Sequence, residues 1–342
     1  MPFASDQPLV AIVTPCYNGA EFLQEVIDSV QEQTYPNLVH VILDNASKDA
    51  TPEIIKANLG RRVPIVTARN PEVLSLQANW STAVKLAPAE AEWMRLLCHD
   101  DRLRPDAIEK MVAAAGNRAN VGIVTSQVES SLGGIPNRGL PEDRTIFSGA
   151  EIGASMMTLG WLVVRSDHVM VRRRFIDERD PFYDLSVLSC DVDVVFRIIS
   201  GHALAYVHEP VAWVREHAAS QTNTTAKNDE RGVLEWHVFF ERYGRNFFTA
   251  EKFEEARETY RRKYLLRLYA WRYLQGRREL FDKHRATLAE LGWKPGWVDV
   301  LKAAFWFGPH KVRQYFNRKA HRAMLERSRQ RRQSGLRLQA DA

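Results

Sequence analysis

PLVAIVTPCYNGAEFLQEVIDSVQEQTYPNLVHVILD, residues 8–44, is the stretch on which the fold turns. Its first eight residues form an almost unbroken apolar run ended by Thr-Pro, the mark of a central strand covered on both faces. Behind it Phe22, Leu23, Val26, Ile27 and Val30 fall on one face of a helix, and Asn18 with Glu21 three residues on predicts a cap pair for that helix. A turn at Tyr35, Pro36 and Asn37 leads into a second apolar strand, 39–43, ending at Asp44. Asp49, Ala50, Thr51, Pro52 and Glu53 then supply a cap, a first-turn proline and an acid for another helix. Strand, helix and strand in that order predict an α/β protein with a parallel sheet and right-handed crossovers.

Downstream, residues 63–67 read as a third strand, followed by the loop Arg69, Asn70, Pro71 and a helix over 75–86. WMRLLCHDDRLRPDA, residues 93–107, then reads as a short buried strand, a break at Asp100 and Asp101, and a new helix opening near Pro105 with Asp106 in its first turn. Adjacent carboxylates repel each other and want either solvent or a cation. Mg²⁺ and Mn²⁺ suit them, because these ions take one or two carboxylates plus the phosphates of a substrate. An acidic turn capping the helix that follows is the plainer alternative. In open parallel sheets, ligands bind beyond the carboxyl ends of the strands. Residues 14–18, Asp44, Arg69 with Asn70, and Asp100 with Asp101 all lie at such ends, and four polar groups on one rim favour a ligand site. The first strand-to-helix turn has only Gly19, without the G-x-G-x-x-G of a dinucleotide site, and no Walker loop is present. A nucleotide bound here needs a metal on its diphosphate.

The order PLVAIVTPCYNGAEFLQEVIDSVQEQTYPNLVHVILDNASKDAT, then ANWSTAVKLAPAEAEWMRLLCHDD, resembles the family 2 glycosyltransferases of GT-A fold. Thr14, Pro15, Tyr17 and Asn18 match the segment ending the family's first strand. Asp44, Ser47 and Asp49 match its Asp-rich loop, and Asp100 with Asp101 match its metal-binding acid pair. The resemblance covers roughly residues 8–220. It implies a mixed, mostly parallel sheet flanked by helices, and a nucleotide-diphosphate sugar as donor, with a UDP-sugar favoured. It implies that Thr14, Pro15, Tyr17, Asn18, Asp44 and Asn70 hold the donor, and that Asp101, assisted by Asp100, holds Mg²⁺ or Mn²⁺. Cys98 stands where many members have another Asp, Cys190 where many have Glu, and Asn45 and Ala46 replace an acid and a glycine. These departures remove peripheral carboxylates and bear on substrate choice.

On the second half of the site, GWLVVR, residues 160–165, reads as a strand. FIDERDPFYDLSVLSCDVDVVFR, residues 175–197, resembles the family's acceptor side, which places Asp191 at the catalytic base, with Asp193, Phe196 and Arg197 on the same helix. A sugar hydroxyl is a poor nucleophile, and a positioned general base is worth about 10² to 10⁴ in rate. Read by itself, Asp191 is equally a helix N-terminal acid stabilised by the macrodipole. After a further strand-like run, 207–215, the resemblance puts His217 at the position of a family His that completes the metal shell or touches the diphosphate; read by itself, it is equally a satisfied surface or core residue. Arg215 offers a guanidinium to the leaving diphosphate. His99 reads as structural.

From residue 232 the pattern turns helical, with Val238, Phe239, Phe240 and Tyr243, then Tyr260, Tyr264, Leu265, Leu268, Trp271 and Tyr273, punctuated by Gly276, Gly292 and Gly296. The expected organisation is a GT-A domain over 1–225, a helical region over 226–308 and a basic tail over 309–342. The chain has 342 residues, 45% of them hydrophobic and 26% charged, with a formal net charge of +5. That composition suits an ordinary globular protein. Cys16, Cys98 and Cys190 lie far apart with no C-x-x-C pair, which argues against a zinc site or disulfide scaffold. No apolar run reaches bilayer length and no leader pattern opens the chain, so the expected location is cytoplasmic. Trp306, Tyr315 and Phe316 beside Lys311, Arg313, Arg318, Lys319 and Arg322 suit peripheral contact with the inner face of a membrane; a packed terminal helix with a frayed basic end is the alternative. No nucleic-acid module is recognisable. The resulting expectation is an inverting transferase acting on a glycan or lipid-linked acceptor, in bacterial surface polysaccharide or glycolipid synthesis. A non-catalytic nucleotide-sugar-binding or membrane-docked assembly protein is the alternative, which the substitutions at Cys98 and Cys190 would suit.

Overall fold

Apolar runs separated by amphipathic helices pair side by side here, as the hydrophobic effect requires of strands that have both faces to cover. The computed structural model describes residues 7–131, 140–159, 168–215, 230–302 and 305. Its strands are β1 (Val10–Cys16), β2 (Leu38–Asp44), β3 (Ile65–Arg69), β4 (Trp93–Leu96), β5 (Arg102–Leu103), β6 (Val121–Ser130), β7 (Ile146–Phe147), β8 (Met170–Arg172) and β9 (Ala203–Val214). They form one nine-stranded sheet in the order β3-β2-β1-β4-β8-β6-β9-β5, with β7 added on β9. β3, β2, β1 and β4 run parallel, as do β6 and β9, while β8, β5 and β7 pair antiparallel. The expected mixed, mostly parallel sheet is therefore present, with every residue of β1, β2 and β4 buried.

The helices are α1 (Leu23–Gln31), α2 (Thr51–Ala57), α3 (Leu76–Lys85), α4 (Ala107–Ala115), α5 (Gly149–Leu159), α6 (Cys190–Ile199), α7 (Arg231–Tyr243), α8 (Ala250–Tyr269) and α9 (Arg278–Glu290). α1 buries Leu23, Val26, Ile27 and Val30, as its spacing predicts. Val26 and Val30 join a core with Val10, Ile12 and Trp93, and Leu23 and Ile27 pack with Cys16, Ile42 and Ile55. Each such burial stabilises by about 1.5–3 kcal/mol.

Several boundaries differ from the expectation for physical reasons. Asn18 does not cap α1: the helix begins at Leu23 behind Phe22, which makes no side-chain capping bond. Asn18 instead adopts a positive φ of 48°, a conformation Asn tolerates better than most residues. The third strand starts two residues late, at Ile65, after Pro64, which has no N–H to give the ladder. The break after β4 contains the short strand β5, which the sequence pattern does not reveal. Ser75, where that helix was expected to begin, caps α3 by accepting from the N–H of Ala78. The strand expected over 160–165 lies outside the described residues.

The chain divides into two compact units, residues 1–256 and 257–342. The expected boundary after residue 225 falls outside the described residues. α7 belongs to the first unit, where the Phe196 ring of α6 meets Trp236, Phe239 and Tyr243. In the second unit Tyr264, Trp271, Phe281 and Leu288 are buried, and the Tyr264 hydroxyl lies 2.6 Å from Nδ1 of His284. Gly276 and Gly292 take positive φ there, at the ends of the helical segments they were expected to punctuate. Among the described residues no helix is long and apolar enough to cross a membrane. The basic tail lies outside them.

Candidate functional site

Parallel pairing of β1 with both β2 and β4 brings three strand ends to one rim, and the loops after β1 and β2 are tied together by polar contacts. The backbone N–H of Asn18 donates to Ser47 Oγ at 2.9 Å, and that of Lys48 donates to Asn18 Oδ1 at 2.9 Å. Gly19 N–H donates to Thr51 Oγ1, and Ala20 N–H to Asp49 Oδ2. Burial works to raise the Asp49 pKa, but bonds from the Thr51 hydroxyl and from the amides of Ala20 and Thr51 outweigh it and keep the carboxyl below its usual range. Asp44, at the end of β2, is buried. Its Oδ1 accepts from Ser47 N–H at 2.9 Å, and its Oδ2 pairs with Arg69, whose side chain stays 48% exposed. Arg69 therefore presents a cation at the rim, anchored from beneath by Asp44 and by the carbonyl of Ser47 at 2.8 Å.

The expected donor-site residues separate into two groups. Tyr17 and Asn18 are exposed at the rim. Thr14 and Pro15 are buried in β1, and the Thr14 hydroxyl lies 3.0 Å from Nε2 of His40, itself fully buried. Asn70 is also buried, donating to Asn45 Oδ1 at 2.8 Å and Asn79 Oδ1 at 3.1 Å. Asn45, which replaces an acid of the family pattern, is thus the hinge of an amide cluster that also fixes the backbone of Leu74.

After β4, Cys98, Asp100 and Asp101 offer a sulfur and two carboxylate oxygens, all within 4.8 Å of one another. Two hard oxygens suit Mg²⁺ or Mn²⁺, and a thiol beside them leans toward the softer of such ions, so the donor set fits a divalent cation. Asp101 is 4% exposed and closely oriented. Its Oδ1 accepts from the backbone N–H of Arg215 at 2.9 Å, and its Oδ2 lies 3.3 Å from Nε2 of His168. His168 in turn meets Arg95, whose Nη1 donates to the His168 carbonyl at 3.1 Å. Arg95 is fully buried in β4. A cationic side chain in so apolar a strand was the sequence signal for this support, and its reading as an apolar strand missed it. A buried charge needs such partners. Arg215 does not extend freely toward the rim: its Nε donates to the Asp100 carbonyl, its Nη2 to Glu25, and its guanidinium lies over the Phe22 and Trp213 rings. His99 packs close on the first loop, where a Cβ at Gly19 would come within 2.9 Å of its ring. His217 lies outside the described residues.

The facing side comes from the segment before α6. Tyr183 N–H donates to Ser81 Oγ at 3.0 Å and Gln77 Nε2 to the Val187 carbonyl at 3.0 Å, so α3 holds this segment against the sheet. Burial raises the Tyr183 pKa well above its ordinary value, and the charges of Cys190, Asp191 and Cys98 add to it. Tyr183 thus feels both Cys98, after β4, and Asp191, at the start of α6. Tyr183 did not stand out in the sequence, since an aromatic in a loop carries no motif, whereas Arg69 was expected at the rim as a strand-end group. Asp191 is half-buried in the first turn of α6. Its neighbour Asp193 is fully buried and serves another purpose, accepting from Arg179, Arg242 and Tyr243.

The family description "Glycosyl transferase family 2" matches residues 11–180. An uncharacterized glycosyltransferase of Rickettsia typhi is 24% identical over 242 residues, covering 69% of this chain and 72% of that protein. A putative teichuronic acid biosynthesis glycosyltransferase of Bacillus subtilis, TuaG, is 26% identical over 31% of this chain and 41% of its own. Among solved structures, S. aureus TarS in complex with UDP-GlcNAc superposes with a TM-score of 0.57 at 12% identity, covering 78% of this chain and 73% of TarS. The mannosyltransferase PcManGT from Pyrobaculum calidifontis, in complex with GDP-Man and Mn²⁺, gives 0.55 at 18% identity, over 92% of this chain and 85% of that one. These likenesses identify the fold as GT-A.

Proposed function

We propose, of a chain that belongs to the family 2 glycosyltransferases, that it is a metal-dependent inverting enzyme moving a sugar from a nucleotide diphosphate to an acceptor hydroxyl. The observation that carries the reading is the clustering of Cys98, Asp100 and Asp101 after β4, supported by the electrostatic influence of both Cys98 and Asp191 on Tyr183. Asp100 and Asp101, with the Cys98 thiol, would hold the cation. When bound, it would neutralise charge on the departing diphosphate. The rim cation of Arg69 suits a phosphate or a base carbonyl, and exposed Tyr17 offers a ring on which a nucleobase can stack. Asp191 takes the proton of the attacking hydroxyl on its carboxylate, and attack from the face opposite the leaving group inverts the sugar carbon.

A UDP-sugar is the donor class tested first, in keeping with the family resemblance and with TarS, and a GDP-sugar second. Surface polysaccharide or glycolipid is the expected product class, as with the teichuronic acid relative. Incubating the protein with a panel of nucleotide sugars, with and without Mn²⁺ or Mg²⁺, tests the reading by release of the nucleoside diphosphate. Release from one donor class that stops on chelation is expected. No release from any donor, with either metal, would remove the proposal.

A further inference from the structure

α7 lies wholly beyond residues 11–180, yet its side chains hold the turn that carries Asp191. Glu235 of α7 is 4% exposed. Its Oε1 accepts from the backbone N–H of Leu188 at 2.5 Å and its Oε2 from that of Ser189 at 3.0 Å. The opening amides of a helix have no partners within it, and Ser189, the N-cap of α6, makes no side-chain capping bond. Here a carboxylate from a separate helix caps the chain just before the helix begins. Arg231 Nε, 3.1 Å from Glu235 Oε1, accompanies that buried charge.

A second anchor lies just past Asp191. Arg242 Nη1 donates to Asp193 Oδ1 at 2.6 Å and to Asp184 Oδ2 at 2.7 Å, and the Tyr243 hydroxyl donates to Asp193 Oδ1 at 2.7 Å. Arg179 takes the other oxygen of Asp193 at 2.6 Å. Asp191 thus sits between two points fixed by α7, residues 188–189 on one side and Asp193 on the other. Nothing in an ordinary helix start needs this much external restraint.

We infer that Glu235 and Arg242 are positioning residues for Asp191, setting its carboxylate where the acceptor hydroxyl must lie. The inference rests on the proposed role of Asp191 as base. Glu235→Gln keeps one acceptor oxygen but turns an NH₂ toward the second amide, so one of the two bonds is lost. The expected result has three parts. Hydrogen exchange at residues 188–193 quickens while that at 98–101 stays as in the wild type. Turnover of UDP-GlcNAc or GDP-mannose, with water as acceptor and Mn²⁺ present, falls by up to about 10²-fold with donor KM unchanged. The acid limb of the pH-rate profile moves, because the surroundings of the base have changed. Glu235→Asp, which retains both oxygens on a shorter stem, recovers part of the rate. Tyr243→Phe, which deletes a single bond to Asp193, is read in the same way should Glu235→Gln not fold. Wild-type kinetics in these variants, or a lower rate with an unmoved acid limb, would overturn the positioning role and leave the transferase reading intact. Absence of turnover in the wild type sinks that reading itself.

Discussion

The backbone N–H of Arg215 donates to Oδ1 of Asp101 at 2.9 Å, joining the end of β9 to the acid turn across 114 residues of sequence. The carboxylate is therefore aimed before any ligand arrives, with His168 3.3 Å from its other oxygen. Asp101→Asn puts an NH₂ in place of one of these acceptors and removes the charge. Binding of UDP in the presence of Mn²⁺, measured calorimetrically, should weaken by about 10-fold or more, while metal-free UDP binding changes little. Equal Mn²⁺-dependent affinity in variant and wild type would show that Asp101 is structural.

Asp191→Asn keeps the shape of the first turn of α6 and removes the proton acceptor. Donor binding should stay nearly intact while turnover drops by about 10² to 10⁴. A variant that turns over at the wild-type rate would transfer the base role elsewhere.

Cys98 adds a sulfur to a pair of carboxylates that would otherwise favour hard cations. With Co²⁺ bound, the wild type should show strong near-ultraviolet thiolate-to-metal absorption that Cys98→Ser lacks. Cys98→Asp should raise activation by Mg²⁺ relative to Mn²⁺. Identical cobalt spectra for wild type and Cys98→Ser would place the thiol outside the metal shell.

Acid should unfold the protein through groups that the fold holds unprotonated. Burial pushes His40 down to about 3, whereas a free His takes up its proton near 6.5. Between those values the unfolded chain binds a proton that the folded chain refuses, so stability falls as pH falls, by up to about 1.4 kcal/mol per pH unit. For Asp184, burial acts to raise the pKa, but bonds from Ser186 and Arg242 overcome it and hold the carboxyl well below the ordinary range. Its stabilisation is present above the unfolded value of about 3.9 and is lost as pH falls through the folded one. Urea midpoints measured from pH 7 to pH 4 should fall more gently for His40→Gln, which leaves Thr14 a polar neighbour but does not titrate. Parallel curves would show that His40 is not the source.

The rim of strand ends was legible because each contributor closes an apolar run: Asp44 ends β2, Arg69 ends β3, and the acid turn follows β4. Sequence could not tell which of them face a ligand. Thr14 and Asn70 belong to matching segments yet point into buried partners, His40 for one and Asn45 with Asn79 for the other. Arg215, expected at the leaving diphosphate, latches the acid turn in this structure, with its guanidinium on Glu25 and over two aromatic rings.

Hydrophobic periodicity and strand-end chemistry, both local properties of the chain, determined the sheet and the crossovers, and the strand-end motifs carried the family resemblance. What lies opposite what was decided only in three dimensions. Arg95 is an oddity in an apolar strand until His168 and Asp101 are stacked beside it, and Glu235 is an ordinary helix acid until it meets the amides of Leu188 and Ser189. Long-range polar pairs of this kind leave no periodic trace, since their energy depends on burial and mutual geometry rather than on spacing along the chain.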